Sequence, residues 1–128
     1  MWAYVRQWRN TVTLYRHAAH VDPDNDFAHS ALACYFAYVG EHEKALPHSR
    51  RAVVIRPASP VYRLQLGKLL CATERYTEAV SCLERLVRFS PGSVEGRQAL
   101  ALARKRLEET RRDLVPRPQS KSQTEPPR

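Results

Sequence analysis

Apolar residues recur at helical spacing along the chain, and turn-forming residues interrupt the stripes. Leu32, Phe36 and Val39 are four and three residues apart, which is the spacing of one face of an α-helix. Gly40 follows, where a helix end favours a residue that tolerates positive φ. A second apolar stripe runs up to Ile55. Pro57 and the residue before it, Arg56, cannot continue a helix. The pattern predicts two short helices joined by a tight turn.

The same arrangement is predicted again further along the chain. Ser59 is a favourable N-cap, and Pro60 suits the first helical position. The spacing of apolar residues then predicts helices at about 60–73 and 77–90, and a last helix at about 94–112. All the predicted elements are helical.

Three prolines indicate an internal repeat. Pro23, Pro57 and Pro91 follow one another at intervals of 34 residues. Pro47 lies outside this series and is expected in or near the first turn of its helix, where a missing N–H costs little. Five further sets of positions keep the same register: Ala18, Ala52 and Leu86; Val21, Ile55 and Phe89; Leu32, Leu66 and Leu100; Ala33, Gly67 and Ala101; and Ala45 with Ala79. The sequence therefore predicts an all-α solenoid of helical hairpins.

This repeat resembles the tetratricopeptide repeat (TPR), whose signature is W-x2-L-G-x2-Y, then A-x3-F, then P. The chain departs from it at the Trp position, which holds His29 and Arg63, and at Ser49, where an aromatic residue is usual. The matching positions are Leu32, Ala33, Phe36, Ala45 and Pro57 in one unit, and Leu66, Gly67, Leu70, Ala79, Leu83 and Pro91 in the next. The resemblance covers about residues 10–112.

The resemblance implies one TPR-type helical domain over residues 1–112, followed by a tail. The domain is divided into a half repeat at 1–25, repeats at 26–59 and 60–93, and a capping helix at 94–112. Residues 113–128 hold four prolines and no aromatic residue, so this tail is expected to be disordered.

The half repeat raises the question of what covers it. Residues 11–22 are expected to form the second helix of a hairpin whose first helix is mostly missing, which leaves Leu14 and Ala18 without their usual cover. A repeat cannot bury its apolar face alone. Another chain, self-association or a preceding segment would have to cover this end.

A second, weaker resemblance concerns the N-terminal junction. The stretch is similar to the point where membrane-bound, glycosyltransferase-like proteins with C-terminal TPRs leave their last transmembrane helix. The matching residues are Trp8, Asn10, Thr11, Leu14, Tyr15, Pro23 and Asn25. This implies an alternative in which the chain is the TPR tail of such a protein, lying outside the cytoplasm.

TPR geometry implies a ligand groove lined by the first helix of each repeat. Its positions here are Phe27, Ser30, Cys34, Tyr38, Val61, Leu64, Lys68 and Gln98. Because they are apolar with a basic edge, an extended or helical peptide with apolar side chains, with or without an acidic group, would suit them. TPRs that clamp the C-terminal carboxylate of chaperones have Lys and Asn where this chain has Ser30 and Cys34, so that partner is not expected. Two repeats could instead form too short a groove and simply pack on a neighbour.

Charge and composition leave one competing function. The net charge is +8, and 17 of the 21 basic residues are arginine, so an anion or nucleic-acid binder is an alternative. However, no block of five basic residues occurs, and solvated helix faces explain the arginines as well. The longest apolar run has nine residues, far short of the about 20 that span a bilayer. As written, the chain is expected in the cytoplasm.

The stretch HVDPDNDFAH at 20–29 has the residue types of a metal site. A calcium loop would need glycine after Asp26 and a carboxylate at its twelfth position, but the chain has Phe27 and Ala33 there. Its place in the repeat predicts a joint in which Asp24, Asn25 or Asp26 caps the next helix. No metal is expected.

Catalysis has no motif to support it. Cys34, His29 and Asp26 could form a triad only on paper, because no nucleophile elbow accompanies them. Four glycines in total provide no phosphate-binding loop, and three cysteines without C-x-x-C spacing provide no zinc ribbon. The sequence predicts a non-catalytic protein-interaction module without a cofactor.

Overall fold

The computed structural model describes the backbone of residues 2–114 and the side chains of residues 9–114. This part of the chain forms six α-helices and no strand: α1 (Trp2–Val21), α2 (Asp26–Tyr38), α3 (His42–Ile55), α4 (Pro60–Ala72), α5 (Tyr76–Phe89) and α6 (Val94–Leu114). Consecutive helices pack against each other, so α2–α3 and α4–α5 are the two predicted hairpins. The all-α solenoid of helical hairpins is confirmed.

The six helices form two layers. One layer contains α2, α4 and α6, and the other contains α1, α3 and α5. Within the second layer, Arg50 of α3 pairs with Glu78 of α5 at 2.8 Å, and Glu43 of α3 pairs with Arg75 at 3.0 Å. The apolar core lies between the layers.

Local signals start and end the helices. Asn25 is the N-cap of α2 and accepts the Ala28 N–H through its side chain, while Ser59 caps α4 ahead of Pro60. Gly40, between α2 and α3, has a φ of 85°. Glu74 takes the same register position between α4 and α5 with a φ of 62°, so the backbone turn is retained without glycine.

The recurring small residues allow close helix packing. Gly67 of α4 faces Leu83 of α5 so closely that a Cβ on Gly67 would overlap the leucine side chain. Ala33 holds the equivalent position in α2 and is fully buried. Antiparallel helices approach this closely only where one side chain at the crossing is small.

The two end helices differ from the sequence expectation. A separate helix was expected to begin near residue 11, but α1 is continuous from Trp2 to Val21. The turn position of the other hairpins, held by Gly40 and Glu74, corresponds to Arg6, and the chain does not turn there. At the other end, α6 continues to Leu114, two residues into the expected tail; residues 115–128, where disorder was predicted, lie outside the described residues.

The expectation for Pro47 was wrong. Helix α3 begins at His42, so Pro47 is its sixth residue, beyond the first turn. At this position a residue would normally donate its N–H to the carbonyl of Glu43, four residues earlier. One helical hydrogen bond is therefore missing from α3.

No helix within residues 2–114 is both long and apolar enough to cross a membrane.

Candidate binding groove

The exposed face of α2, α4 and α6, which we call the groove, carries a row of apolar side chains. Phe27 and Tyr38 lie at the two ends of α2, Val61 lies in the first turn of α4, and Leu102 lies in the middle of α6. All four are at least half exposed, and Val61 reaches 69%. Large apolar side chains at such exposure, aligned on neighbouring helices, are typical of a surface that binds a partner.

Val61 lies between two shallow depressions. The first, about 740 Å³, lies between α2 and α4 and includes Phe27, Ser30 and Tyr62 in its lining. The second, about 520 Å³, lies between α4 and α6 and includes Leu64. The structure thus brings Phe27, Ser30, Val61 and Leu64 around one continuous surface, although Leu64 is half buried against the core.

A third depression continues the groove along α4 and α6. Its volume is about 450 Å³, and Lys68, Cys71, Gln98 and Leu102 contribute to its lining. Lys68 does not project into solvent alone, because its Nζ lies 3.3 Å from Glu95 of α6. The basic edge expected from the sequence is therefore balanced by an acidic side chain.

Gln65 joins two of the predicted groove residues. Ser30 Oγ donates to Gln65 Oε1 at 3.1 Å, and Gln65 Nε2 lies 3.1 Å from the Ser30 carbonyl and 2.9 Å from Cys34 Sγ. Burial raises the pKa of the Cys34 thiol, and the Gln65 hydrogen bond opposes this. Gln65 was missed from the sequence, where its only signal is its place one turn after Val61.

The polar stretch at 20–29 forms the joint between repeats. The Asp26 carboxylate accepts the Tyr62 hydroxyl at 2.7 Å and lies 2.8 Å from Arg56 Nε. The hydrogen bond from Tyr62 and the charge of Arg56 lower the pKa of Asp26. Asp24 pairs with Arg51 at 2.6 Å. Among the described side chains, no three His, Cys, Asp or Glu residues lie close enough together to hold a metal ion.

Part of the positive charge, seven of the 17 arginines, is held in ion pairs. The arginines that pair with a carboxylate are Arg50, Arg51, Arg56, Arg75, Arg104, Arg106 and Arg112. They lie on several helices and face different acids, so they do not form one cationic surface. These seven arginines give no support to the anion or nucleic-acid binder, which stays an alternative prediction.

The fold belongs to the class of helical-hairpin solenoids built from one repeated unit. Within that class it is the TPR fold. The solved TPR domain of Sgt2 from Aspergillus fumigatus superposes with a TM-score of 0.73 at 22% identity, covering 98% of this chain and 78% of that one. The first TPR of Spaghetti (RPAP3), bound to the HSP90 peptide SRMEEVD, gives 0.74 at 17% identity, covering 84% and 85%.

Curated sequences point the same way. Small glutamine-rich tetratricopeptide repeat-containing protein 2 of Mycosarcoma maydis is 26% identical over 96 residues, which are 75% of this chain and 27% of that protein. The chain spans less than a third of the length of the curated relatives it matches. No protein-family model matches the chain. The resemblance to glycosyltransferase-like tails stays a prediction.

Proposed function

We propose that the chain is a non-catalytic protein-interaction module that binds a peptide or helix with apolar side chains along the groove. The observation that carries the proposal is the exposure of Val61 between two depressions, with Phe27 and Leu102 further along the same face. Exposed apolar side chains beside concave surface provide the contact area that peptide recognition requires.

The polar groups of the groove favour an apolar ligand over a charged one. Ser30 and Cys34 hydrogen-bond to Gln65, and Lys68 faces Glu95. A carboxylate would have to compete with Glu95 for Lys68. The RPAP3 domain binds a peptide that ends in a carboxylate, but this chain has other residues at the clamping positions, and we expect its ligand to differ.

The structure provides a matched pair of substitutions to test this groove. Val61→Asp places a charge in the groove, whereas Val54→Asp places the same charge on α3, in the other layer, where Val54 is 65% exposed. Peptides would first be selected on the wild-type protein from a random phage library, and their affinities then measured by fluorescence anisotropy. We expect Val61→Asp to weaken binding about tenfold or more, because a buried unpaired carboxylate is costly.

Val54→Asp should leave these affinities unchanged, with circular dichroism confirming that both variants fold. The proposal fails if peptides bind Val61→Asp as well as wild type, or if Val54→Asp loses binding equally.

A further inference from the structure

The two complete repeats differ in how they hold one arginine. In the first hairpin, Arg51 of α3 pairs with Asp24, in the turn before α2, at 2.6 Å. One repeat later the same two positions hold Arg85 of α5 and Ala58. The arginine is retained in the second hairpin, whereas the acid that neutralises it is lost.

The acids closest to Arg85 in the sequence are paired with other arginines. Helix α5 contains two glutamates, of which Glu78 pairs with Arg50 at 2.8 Å and Glu84 pairs with Arg104 at 3.2 Å. Among the described side chains, none of the ion pairs includes Arg85. Its charge is therefore left without an acid within the described part of the chain.

The backbone acceptor of the first hairpin is also taken in the second. Arg51 Nε lies 3.5 Å from the Pro23 carbonyl. The equivalent carbonyl of Pro57 accepts Arg63 Nε at 2.8 Å. Arg63 thus occupies the carbonyl that corresponds to the one Arg51 approaches.

Arg85 shares one side of α5 with two other exposed residues. Arg88 and Phe89 lie three and four residues after it, so the three side chains are neighbours on the helix surface. Both arginines are exposed, and Phe89 is 66% exposed with the Arg63 guanidinium over its ring, 5.7 Å from the centroid. We call Arg85, Arg88 and Phe89 the α5 patch.

The surroundings of Cys82 place the charges of Arg63 and Arg85 on the same side of the α4–α5 hairpin. Cys82 Sγ lies 3.5 Å from the Arg63 carbonyl. Burial raises the pKa of this thiol, and the positive charges of Arg63 and Arg85 oppose the rise. Both guanidinium groups are therefore close enough to act on one side chain.

We propose that the α5 patch binds an acidic segment of another protein, with a carboxylate of that segment on Arg85 and an adjacent apolar side chain on Phe89. The pair of Arg51 with Asp24 is the template for this contact within the chain itself. The patch belongs to the layer of α1, α3 and α5, on the other side of the molecule from the groove. The inference is thus independent of the proposed function.

A second copy of the chain is a poorer source of the carboxylate. The acids of its first joint are engaged, since Asp24 pairs with Arg51, Asp26 pairs with Arg56, and Asp22 accepts the Asp24 N–H. Each chain also carries a net charge of +8, so two copies repel each other. An acidic partner gains from the same charge.

A single-stranded nucleic acid also fits the patch less well. Proteins that bind single strands without sequence preference stack successive bases on several aromatic rings. The α5 patch has one ring, Phe89, and the Arg63 guanidinium lies over one of its faces. One apolar contact beside two cations suits an acidic segment with an apolar residue.

A pair of synthetic peptides tests the proposal. The probe is a short fluorescein-labelled peptide with aspartates and glutamates on both sides of one leucine, and the control peptide has asparagine and glutamine in their places. We expect the acidic peptide to bind the full chain about tenfold or more tightly than the amide peptide, measured by fluorescence anisotropy.

Two arginine variants locate the binding. Arg85→Gln should weaken binding of the acidic peptide about fivefold, the effect of one exposed ion pair at the upper end of its usual strength. Arg51→Gln is the matched control, because it removes the same charge one repeat earlier, where Asp24 already pairs with the arginine. It should leave the affinity unchanged.

Ala58→Asp tests the template directly. It places an acid in the second hairpin at the position that Asp24 holds in the first, so it should pair with Arg85 and weaken peptide binding about as much as Arg85→Gln. Ala101→Asp makes the same change of charge at an exposed position of α6 and should have no effect. Circular dichroism checks that all variants fold.

Four results would overturn the proposal. Equal losses in Arg85→Gln and Arg51→Gln would show that the peptide responds to overall charge, and an unchanged affinity in Ala58→Asp would contradict the template. A single-stranded oligonucleotide that binds more tightly than the acidic peptide and depends on Arg85 would make nucleic acid the occupant. A dimer in sedimentation velocity that Arg85→Gln dissociates would make a second copy the occupant.

Discussion

At the scale of single residues, the polar substitutions at the TPR Trp position make a repeated hydrogen bond. His29 Nε2 lies 2.8 Å from the Pro23 carbonyl, and Arg63 Nε donates to the Pro57 carbonyl at 2.8 Å. The two donors are one repeat apart, and so are the two prolines. The Trp position, where the chain departs from the signature, therefore supplies a hydrogen bond between α2 or α4 and the turn that precedes each helix.

Arg63 should contribute measurably to stability. Its side chain is 8% exposed and its guanidinium lies over the Phe89 ring, 5.7 Å from the centroid. We expect Arg63→Ala to lower the free energy of unfolding by about 1–3 kcal/mol, because the Pro57 carbonyl loses its donor and the aliphatic stem its packing.

Arg97 is the matched control for that experiment, since it has the same register position in α6 but is exposed. Arg97→Ala should change the free energy of unfolding in urea by less than about 0.5 kcal/mol. Equal effects of the two substitutions would contradict a special role for Arg63.

A histidine pair in the first hairpin predicts that its stability depends on pH. His29 Nδ1 and His48 Nδ1 are 3.2 Å apart. Because His29 Nε2 donates to Pro23, its Nδ1 accepts in the neutral ring, and His48 donates. Protonating both rings would turn two N–H groups toward each other. Burial, and then the charges of His29 and Arg16, lower the pKa of His48.

This lowered pKa predicts the direction of the pH dependence. The unfolded state, with an ordinary histidine pKa near about 6.5, binds the proton more readily than the folded state. The free energy of unfolding should therefore fall as the pH falls below about 6.5, by at most about 1.4 kcal/mol per pH unit for one group.

Urea denaturation between pH 7.5 and 5 would measure this slope. His48→Gln should flatten it, while His17→Gln, which changes an exposed histidine of α1, should not. A slope that persists unchanged in His48→Gln would refute the assignment.

At the scale of elements, the lengths of the helices depend on whether the chain turns at one repeated position. Gly40 and Glu74 adopt positive φ there, and α3 and α5 begin within two residues. The same position falls at Arg6 and Glu108, where α1 and α6 continue without a break. Among the described residues, no helix precedes α1 and none follows α6, so a turn at these positions would have no neighbouring helix to pack against.

Pro47 is a local defect that the packing of α3 tolerates. Pro47→Ala restores an N–H that can donate to the Glu43 carbonyl. Alanine is also a better helix former than proline, and the position is exposed, so no packing is lost. We expect the free energy of unfolding to rise by about 1–2 kcal/mol, less than the full proline penalty because proline also restricts the unfolded chain. Urea denaturation measures the change.

Pro60→Ala provides the comparison, because Pro60 is the first residue of α4, where an N–H has no helical acceptor. It should leave stability the same or slightly lower. If Pro47→Ala gives no more stability than Pro60→Ala, then the missing hydrogen bond in α3 has no measurable cost.

At the scale of the whole molecule, the two layers have different roles. The layer of α2, α4 and α6 exposes the groove, while in the other layer ion pairs such as Arg50–Glu78 connect α3 with α5. These exposed pairs contribute little individually, about 0–1 kcal/mol. Their structural effect is to pair seven of the 17 arginines with carboxylates.

The sequence by itself determined the repeat, the number of complete hairpins and the joints between them. These features depend on short-range rules: apolar spacing within one helix, a cap such as Ser59, and a proline that ends a helix. The constant period of the repeat then fixes which positions face each other, because every unit packs on its neighbour in the same way.

Only the tertiary structure decided which polar groups meet across helices and that α1 and α6 run without a turn at the repeated turn position. Gln65 reaches Ser30 and Cys34, and Glu95 reaches Lys68, over separations of 27 to 35 residues that leave no periodic trace. The continuous course of α1 and the uncovered Leu14 likewise follow from the absence of a neighbouring helix in the described chain. The repeat determines the packing that all units share, whereas side-chain pairs that occur only once depend on which surfaces the fold brings together.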